Sequence, residues 1–202
     1  MLEEPPDAAA RRPVYLVIAL LALWFVGMNL LREGFATVEF VNDPFARMPV
    51  SLDEGLEAVR WKAYVAATRH HAEELLPVGV AQALLGGALV VLSVRALFVR
   101  RLSAGFSLQV IVVSALVSIA AYVLREPVRA EIIEAVVKSG LEKQPAGLGA
   151  AEFAELVRSK WRWSFRIALG FQLVALSLGL VALTRPAVRL AFGASEPSVG
   201  ER

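Results

Sequence analysis

Arg95-Ala-Leu-Phe-Val-Arg100-Arg101-Leu-Ser-Ala104 carries three arginines and no acid, and a long apolar run lies on each side of it, 77–94 before and 106–124 after. Each run approaches the ~20 residues that a helix needs to cross ~30 Å of hydrocarbon. The stretch 95–105 therefore reads as a tight turn between two membrane-spanning helices. Two further runs complete the pattern. Residues 13–31 are apolar apart from Asn29, and residues 163–184 form the last run. In hydrocarbon every backbone group must bond within its own segment, so helices are the solution. The alternating ten-residue segments of a β-barrel are absent. The expected fold class is all-α: a polytopic membrane protein with four transmembrane helices in one domain.

Composition agrees. Of 202 residues 57% are hydrophobic, and the mean hydropathy of +0.59 is too apolar for an ordinary soluble domain. A net charge of +2 gives no reason to expect a nucleic-acid partner. The chain has no cysteine, which excludes disulfides, thiolate metal sites and a cysteine nucleophile. At the start of the chain, Arg11-Arg12 has the form of a twin-arginine pair without the rest of that signal. The run that follows is longer than a signal-peptide core and lacks a small-residue cleavage site, so it is expected to be a retained span.

Two polar segments, 32–76 and 125–162, lie on the side opposite the arginine turn. In the first, Val41-Asn-Asp-Pro-Phe-Ala-Arg-Met-Pro49 reads as loop. Ser51-Leu-Asp-Glu54 has the form of a capping box, and Leu52, Leu56, Val59, Ala63 and Ala67 mark one face of a helix expected to run to about Leu76. In the second, Val128, Ile132, Ile133, Val136, Val137 and Leu141 form another stripe. A further helix begins near Ala150, with Phe153, Leu156, Val157 and Trp161 on one face, and continues into the last span.

Orientation follows from charge near the span ends. The short side carries Arg11, Arg12, Arg185 and Arg189 besides the anchors Arg95, Arg100 and Arg101. The long segments dilute their basic residues with many glutamates. Both termini and the turn are therefore expected in the cytoplasm and both helical segments outside, in the plasma (inner) membrane of a bacterium. The halves also share short motifs in the same order. Leu31-Arg32-Glu33 and Glu57-x-Val59-Arg60-x-Lys62 in the first match Leu124-Arg125-Glu126 and Glu155-x-Val157-Arg158-x-Lys160 in the second. The order suggests two parallel two-span repeats.

Candidate sites are few. His70 and His71 are the only histidines, and with Glu74 they offer imidazole and carboxylate to a metal; the alternative is a solvated helix end. Asn29, Gln82, Gln109 and Gln172 are the polar groups at membrane depth. They suit either a polar pathway or hydrogen bonds between helices. Gly79, Ala83 and Gly87, then Ser114 and Ser118, then Ala175 and Gly179, form small-residue stripes for close helix packing. Arg60, Lys62, Arg158, Lys160 and Arg162 suggest a basic ring or, alternatively, a mixed-charge surface. No phosphate loop, nucleophile elbow or H-E-x-x-H pair occurs, and no cofactor is expected. The leading expectation is a non-enzymatic accessory protein that binds membrane lipid and a protein partner, or itself as a homo-oligomer. The alternatives are a small transporter or channel and a membrane enzyme with a metal near His70 and His71.

Overall fold

The computed structural model describes residues 13–42, 55–98, 104–142 and 148–185. Six helices follow one another: α1 (Val14–Asn42), α2 (Leu56–His70), α3 (Ala72–Phe98), α4 (Ala104–Leu124), α5 (Glu126–Ser139) and α6 (Ala150–Thr184). The protein is all-helical among these residues. Helices α1, α3, α4 and α6 are each long and apolar enough to cross a membrane. The proposed capping box, the Val41–Pro49 loop from 43 onward, Leu52, Arg100 and Arg101 lie outside the described residues.

Length explains the architecture. At 1.5 Å per residue, the 35 residues of α6 reach about 52 Å, well beyond ~30 Å of hydrocarbon. The 29 residues of α1 reach about 43 Å. Both helices therefore project on the side away from the arginine turn, where α2 and α5 pack against each other and against these projecting ends. The polar stretch 32–42, expected to leave the span, instead continues α1 without a break. Apolar composition is not needed to prolong a helix once it has been nucleated.

Two apolar cores result. The span core contains Leu16, Leu20, Leu23, Leu30, Leu89 and Leu176; the outer core contains Ala67, Leu75, Val128 and Ile132. Of the expected α5 stripe, Val128, Ile132, Ile133 and Val136 are buried, whereas Leu141 lies past the helix end and is exposed. Large apolar side chains such as Phe25, Leu84, Leu116 and Phe171 are exposed around the spans, as lipid contact requires.

Close packing of α1 on α3 is the main joint of the membrane part. A Cβ on Gly34 would stand 2.4 Å from the Ala83 nitrogen, and one on Gly86 would stand 2.5 Å from the Leu31 nitrogen. Gly79 faces Thr37, and Gly27 faces Gly86 and Leu89. The helices run antiparallel with backbones touching, which is how apolar helices associate where no hydrophobic force separates protein from lipid. The stripe differs from the expected one: Gly86, not Gly87, faces α1. Gly27 and Gly34 repeat at seven residues, as do Gly79 and Gly86, and this spacing keeps a seam along left-handed helix pairs. Gly179 receives Leu23, whose Cδ1 would lie 2.6 Å from an added Cβ. Ala175 packs against the same core.

Candidate functional site

Two single-residue elbows organise the polar chemistry. His71 (φ −103°, ψ 29°) separates α2 from α3, and Arg125 (φ −86°, ψ 8°) separates α4 from α5. Both occupy the bridge between the helical and extended regions. Backbone bonds continue on either side: His71 N–H to Ala67 and Leu75 N–H to the His71 carbonyl, Arg125 N–H to Ala121 and Arg129 N–H to the Arg125 carbonyl. The chain thus bends without losing its helical path. At Arg125 the cause is local. Pro127, in the first turn of α5, cannot donate to Val123 and crowds the carbonyl four residues back. The first elbow corrects the expectation that one helix runs to Leu76. The helix ends at His70, and Leu75 and Pro77 belong to α3.

The Arg125 side chain turns inward and lies largely buried between the two cores. It donates to the Glu33 carboxylate at 2.9 Å, to Thr37 Oγ1 at 2.9 Å and to Gln82 Oε1 at 2.6 Å. Gln82 Nε2 donates to Glu33 at 3.4 Å, Asn29 donates to Glu33 at 3.1 Å, and Thr37 donates to the Glu33 carbonyl at 2.8 Å. Along α1 this network falls between Val26 and Phe40, and along α3 between Leu75 and Leu89, all buried members of the cores or their edges. It lies between the apolar span core and the second core formed by α2, α3 and α5, and the Arg125 fork is filled by acceptors on α1 and α3. Glu33, Thr37 and Arg125 were not among the candidates from sequence. The signal was present in the two Leu-Arg-Glu tripeptides, but it read as a repeat and not as a contact.

The four polar residues at depth part ways. Gln82 is buried in this network, and Gln172 donates to Ser118 Oγ at 2.7 Å, joining α6 to α4. Ser118 in turn donates to the Ser114 carbonyl at 2.6 Å. Asn29 bonds within α1, and Gln109 is exposed near the start of α4. The cleft between spans, lined by Leu20, Leu89, Ser93, Ala96 and Ile111 among others, is almost wholly apolar.

At the other elbow, Glu131 of α5 faces both histidines. Its Oε1 lies 3.2 Å from His71 Nε2 and 3.5 Å from His70 Nδ1. Glu74 is exposed and is not part of this group. The acid comes from a helix sixty residues away in sequence, so spacing along the chain could not reveal it.

The outer surface is a mosaic of ion pairs more than a basic ring. Arg158 meets Glu134 at 2.8 Å and Glu155 at 2.7 Å, Lys160 meets Glu142 at 3.1 Å, and Arg60 meets Glu57 at 2.6 Å. The Arg158 hydrogen bond and charge hold the Glu134 carboxyl below its ordinary range, against a smaller opposing effect of burial. Arg60 also lies 4.4 Å from the Trp161 ring, and Trp161 Nε1 donates to Glu142 at 3.0 Å. Arg129 stacks on Tyr122 at 3.8 Å; burial lowers its guanidinium pKa, while Tyr122 and Glu126 act in the opposite sense. Phe40 closes the bundle edge-on to Trp61 and Tyr64, and its carbonyl accepts from Arg69 at 2.9 Å.

No protein-family model, curated protein or solved structure matches the chain. The short repeat motifs keep their order in space, since Glu57–Lys62 lies on α2 and Glu155–Lys160 on the projecting part of α6. The packing is not equivalent. The elbow falls in the second arm of one half and the first arm of the other, and the glycine seam of α1 and α3 is replaced by Ser118 and Gln172 between α4 and α6.

Proposed function

We propose that the protein is a non-enzymatic accessory protein of a bacterial plasma membrane, which docks a membrane-embedded protein of the cell envelope against the open side of α6. Residues 95–105 and both termini face the cytoplasm in this reading. The carrying observation is the state of α6 just inside the outer boundary. It is the least buried of the four spanning helices. Trp163, Ser164, Ile167, Ala168, Gly170 and Phe171 are all exposed there, together with Arg162 and Arg166. At 100° per residue these positions cover about 240° of the helix. A helix that meets only lipid on its outer side usually keeps one broad face against its own bundle. Around the open arc the basic pair Arg162 and Arg166 lies at one edge, Gly170, Trp163, Ile167 and Phe171 form the centre, and Ser164 and Ala168 lie at the other edge, a mixed surface that suits a protein contact. The polar side chains that would favour transport are largely engaged: Gln82 and Gln172 both bond between helices.

The test is site-specific photocrosslinking in native membranes from Ile167 and Phe171, with Leu116 on α4 as the lipid-exposed reference. A discrete protein adduct at the α6 positions, absent at Leu116 and removed by Gly170→Trp, is the expected result. An added Cβ at Gly170 meets nothing within 4 Å, so this substitution obstructs a partner without crowding the chain itself. Adducts confined to lipid or to a second copy of the chain would refute a separate protein partner.

A further inference from the structure

We propose that His70 Nδ1, His71 Nε2 and Glu131 Oε1 form a binding site for a zinc-class divalent metal, with a fourth position open to water or an exogenous ligand. The three atoms lie within 4.8 Å of one another. Two ligands on a tetrahedral zinc, each about 2.0–2.1 Å from the metal, stand about 3.3–3.4 Å apart. The two contacts to Glu131, at 3.2 and 3.5 Å, bracket that separation. The remaining pair also lies within 4.8 Å, and because a metal sits in the plane of each imidazole it binds, the stacked rings must turn out of parallel as the site closes.

The elbow makes this arrangement possible. Consecutive residues of an unbroken helix point about 100° apart, which separates two adjacent imidazoles. Here α2 ends at His70, His71 takes the bridge conformation, and the rings stack at 4.7 Å with their planes 13° apart. Both ring nitrogens then face the same carboxylate, carried by α5. Burial suits an accessible site: His71 is mostly covered, whereas His70 and Glu131 reach solvent. Two imidazoles and one carboxylate favour zinc, cobalt, nickel or copper over magnesium and calcium, which prefer oxygen alone. Three protein ligands with an open fourth position are the arrangement that leaves room for a bound water. The inference stands independently of the docking role of α6, because it concerns the α2–α3 elbow and α5 only.

The full-length chain, purified in detergent without a polyhistidine tag and stripped with chelator, provides the test. Titration with Co²⁺ should give one equivalent per chain with the intense visible absorption of a tetrahedral nitrogen–oxygen site, and Zn²⁺ should displace it. Magnesium and calcium should leave the absorption unchanged. His71→Ala and Glu131→Gln should each weaken Zn²⁺ binding by at least about 100-fold, since the loss of mere supporting groups already costs ~10–100-fold. Glu74→Gln should bind as the natural chain does. His70→Ala, altering the most exposed ligand, guards against variants that fail to fold. Absence of a cobalt spectrum in the folded natural protein, or zinc binding unaffected by Glu131→Gln and both histidine variants, would overturn the site and leave a histidine–glutamate hydrogen bond.

Discussion

Arg125 and Glu33 stand 92 residues apart in the chain, yet the guanidinium donates to the carboxylate at 2.9 Å. The Arg125 side chain is 13% exposed and that of Glu33 35%. One contact therefore fastens the α4–α5 elbow to the middle of α1, while Gln82 brings in α3. Breaking a buried pair leaves an unpaired charge at about 3–5 kcal/mol, and partial solvent access to Glu33 reduces this. Arg125→Met and Glu33→Gln should each destabilise the protein by roughly 2–4 kcal/mol on that basis. Arg125→Met combined with Glu33→Met should cost clearly less than the sum of the two Met substitutions alone. Denaturation in detergent with circular-dichroism detection measures the cycle. Strict additivity would mean that the two side chains do not act on each other.

The glycine seam makes a sharper prediction, because two adjacent glycines should behave oppositely. A Cβ at Gly86 meets the backbone of Leu31 and Gly27, while one at Gly87 meets only Leu31 Cδ1 at 3.8 Å. Gly86→Ala and Gly34→Ala should each destabilise by about 1–3 kcal/mol, the usual cost of overpacking. Gly87→Ala should be neutral or stabilise by a few tenths to ~1 kcal/mol through helix propensity. Thermal melting of the three variants in one detergent decides this. Equal effects at Gly86 and Gly87 would show that α1 does not approach α3 as closely as described.

These residues also show what a linear reading can reach. Spans announce themselves because lipid demands about twenty apolar residues in succession, so the four helices were legible from their runs. Val128, Ile132, Ile133 and Val136 were legible because one helix face repeats at three and four residues. The choice between Gly86 and Gly87 was not, because both small residues sit on one helix and only the partner's register separates them. Glu131 and Glu33 were hidden for a related reason. Each is an ordinary polar residue on its own helix, and becomes part of a cluster only when an elbow swings a distant segment onto it. His71 and Arg125 themselves carry no strong helix-breaking signal. At Arg125 the break is owed to Pro127, two positions later.

Acid should loosen the outer bundle at one identifiable contact. Glu134 is held below its ordinary carboxyl range by hydrogen bonds from Arg158. A carboxylate depressed in the folded state contributes stability above its unfolded pKa, ~4.3 for glutamate, and loses it as pH falls through the folded value. Melting temperature should therefore decline below pH ~4.3 more steeply in the natural protein than in Glu134→Gln. High salt should shrink the difference, because the pair is open to solvent. Superimposable pH profiles for the two proteins would remove the contribution of this contact.

Orientation can be read without disturbing any of these contacts, since the chain contains no cysteine and a single introduced thiol has no competitor. Ala130 is exposed on α5, in the bundle on the far side of the membrane from the 95–105 turn. The arginines at 95, 100 and 101, with no acid among them, favour a cytoplasmic turn under the charge rule for short loops. Ala130→Cys should therefore react with a membrane-impermeant maleimide on intact cells, whereas Ser103→Cys should react only after permeabilisation. The reverse pattern would place the arginine turn outside. It would also move the His70–His71–Glu131 cluster to the cytoplasmic side, where the metal available to it would be set by a different pool.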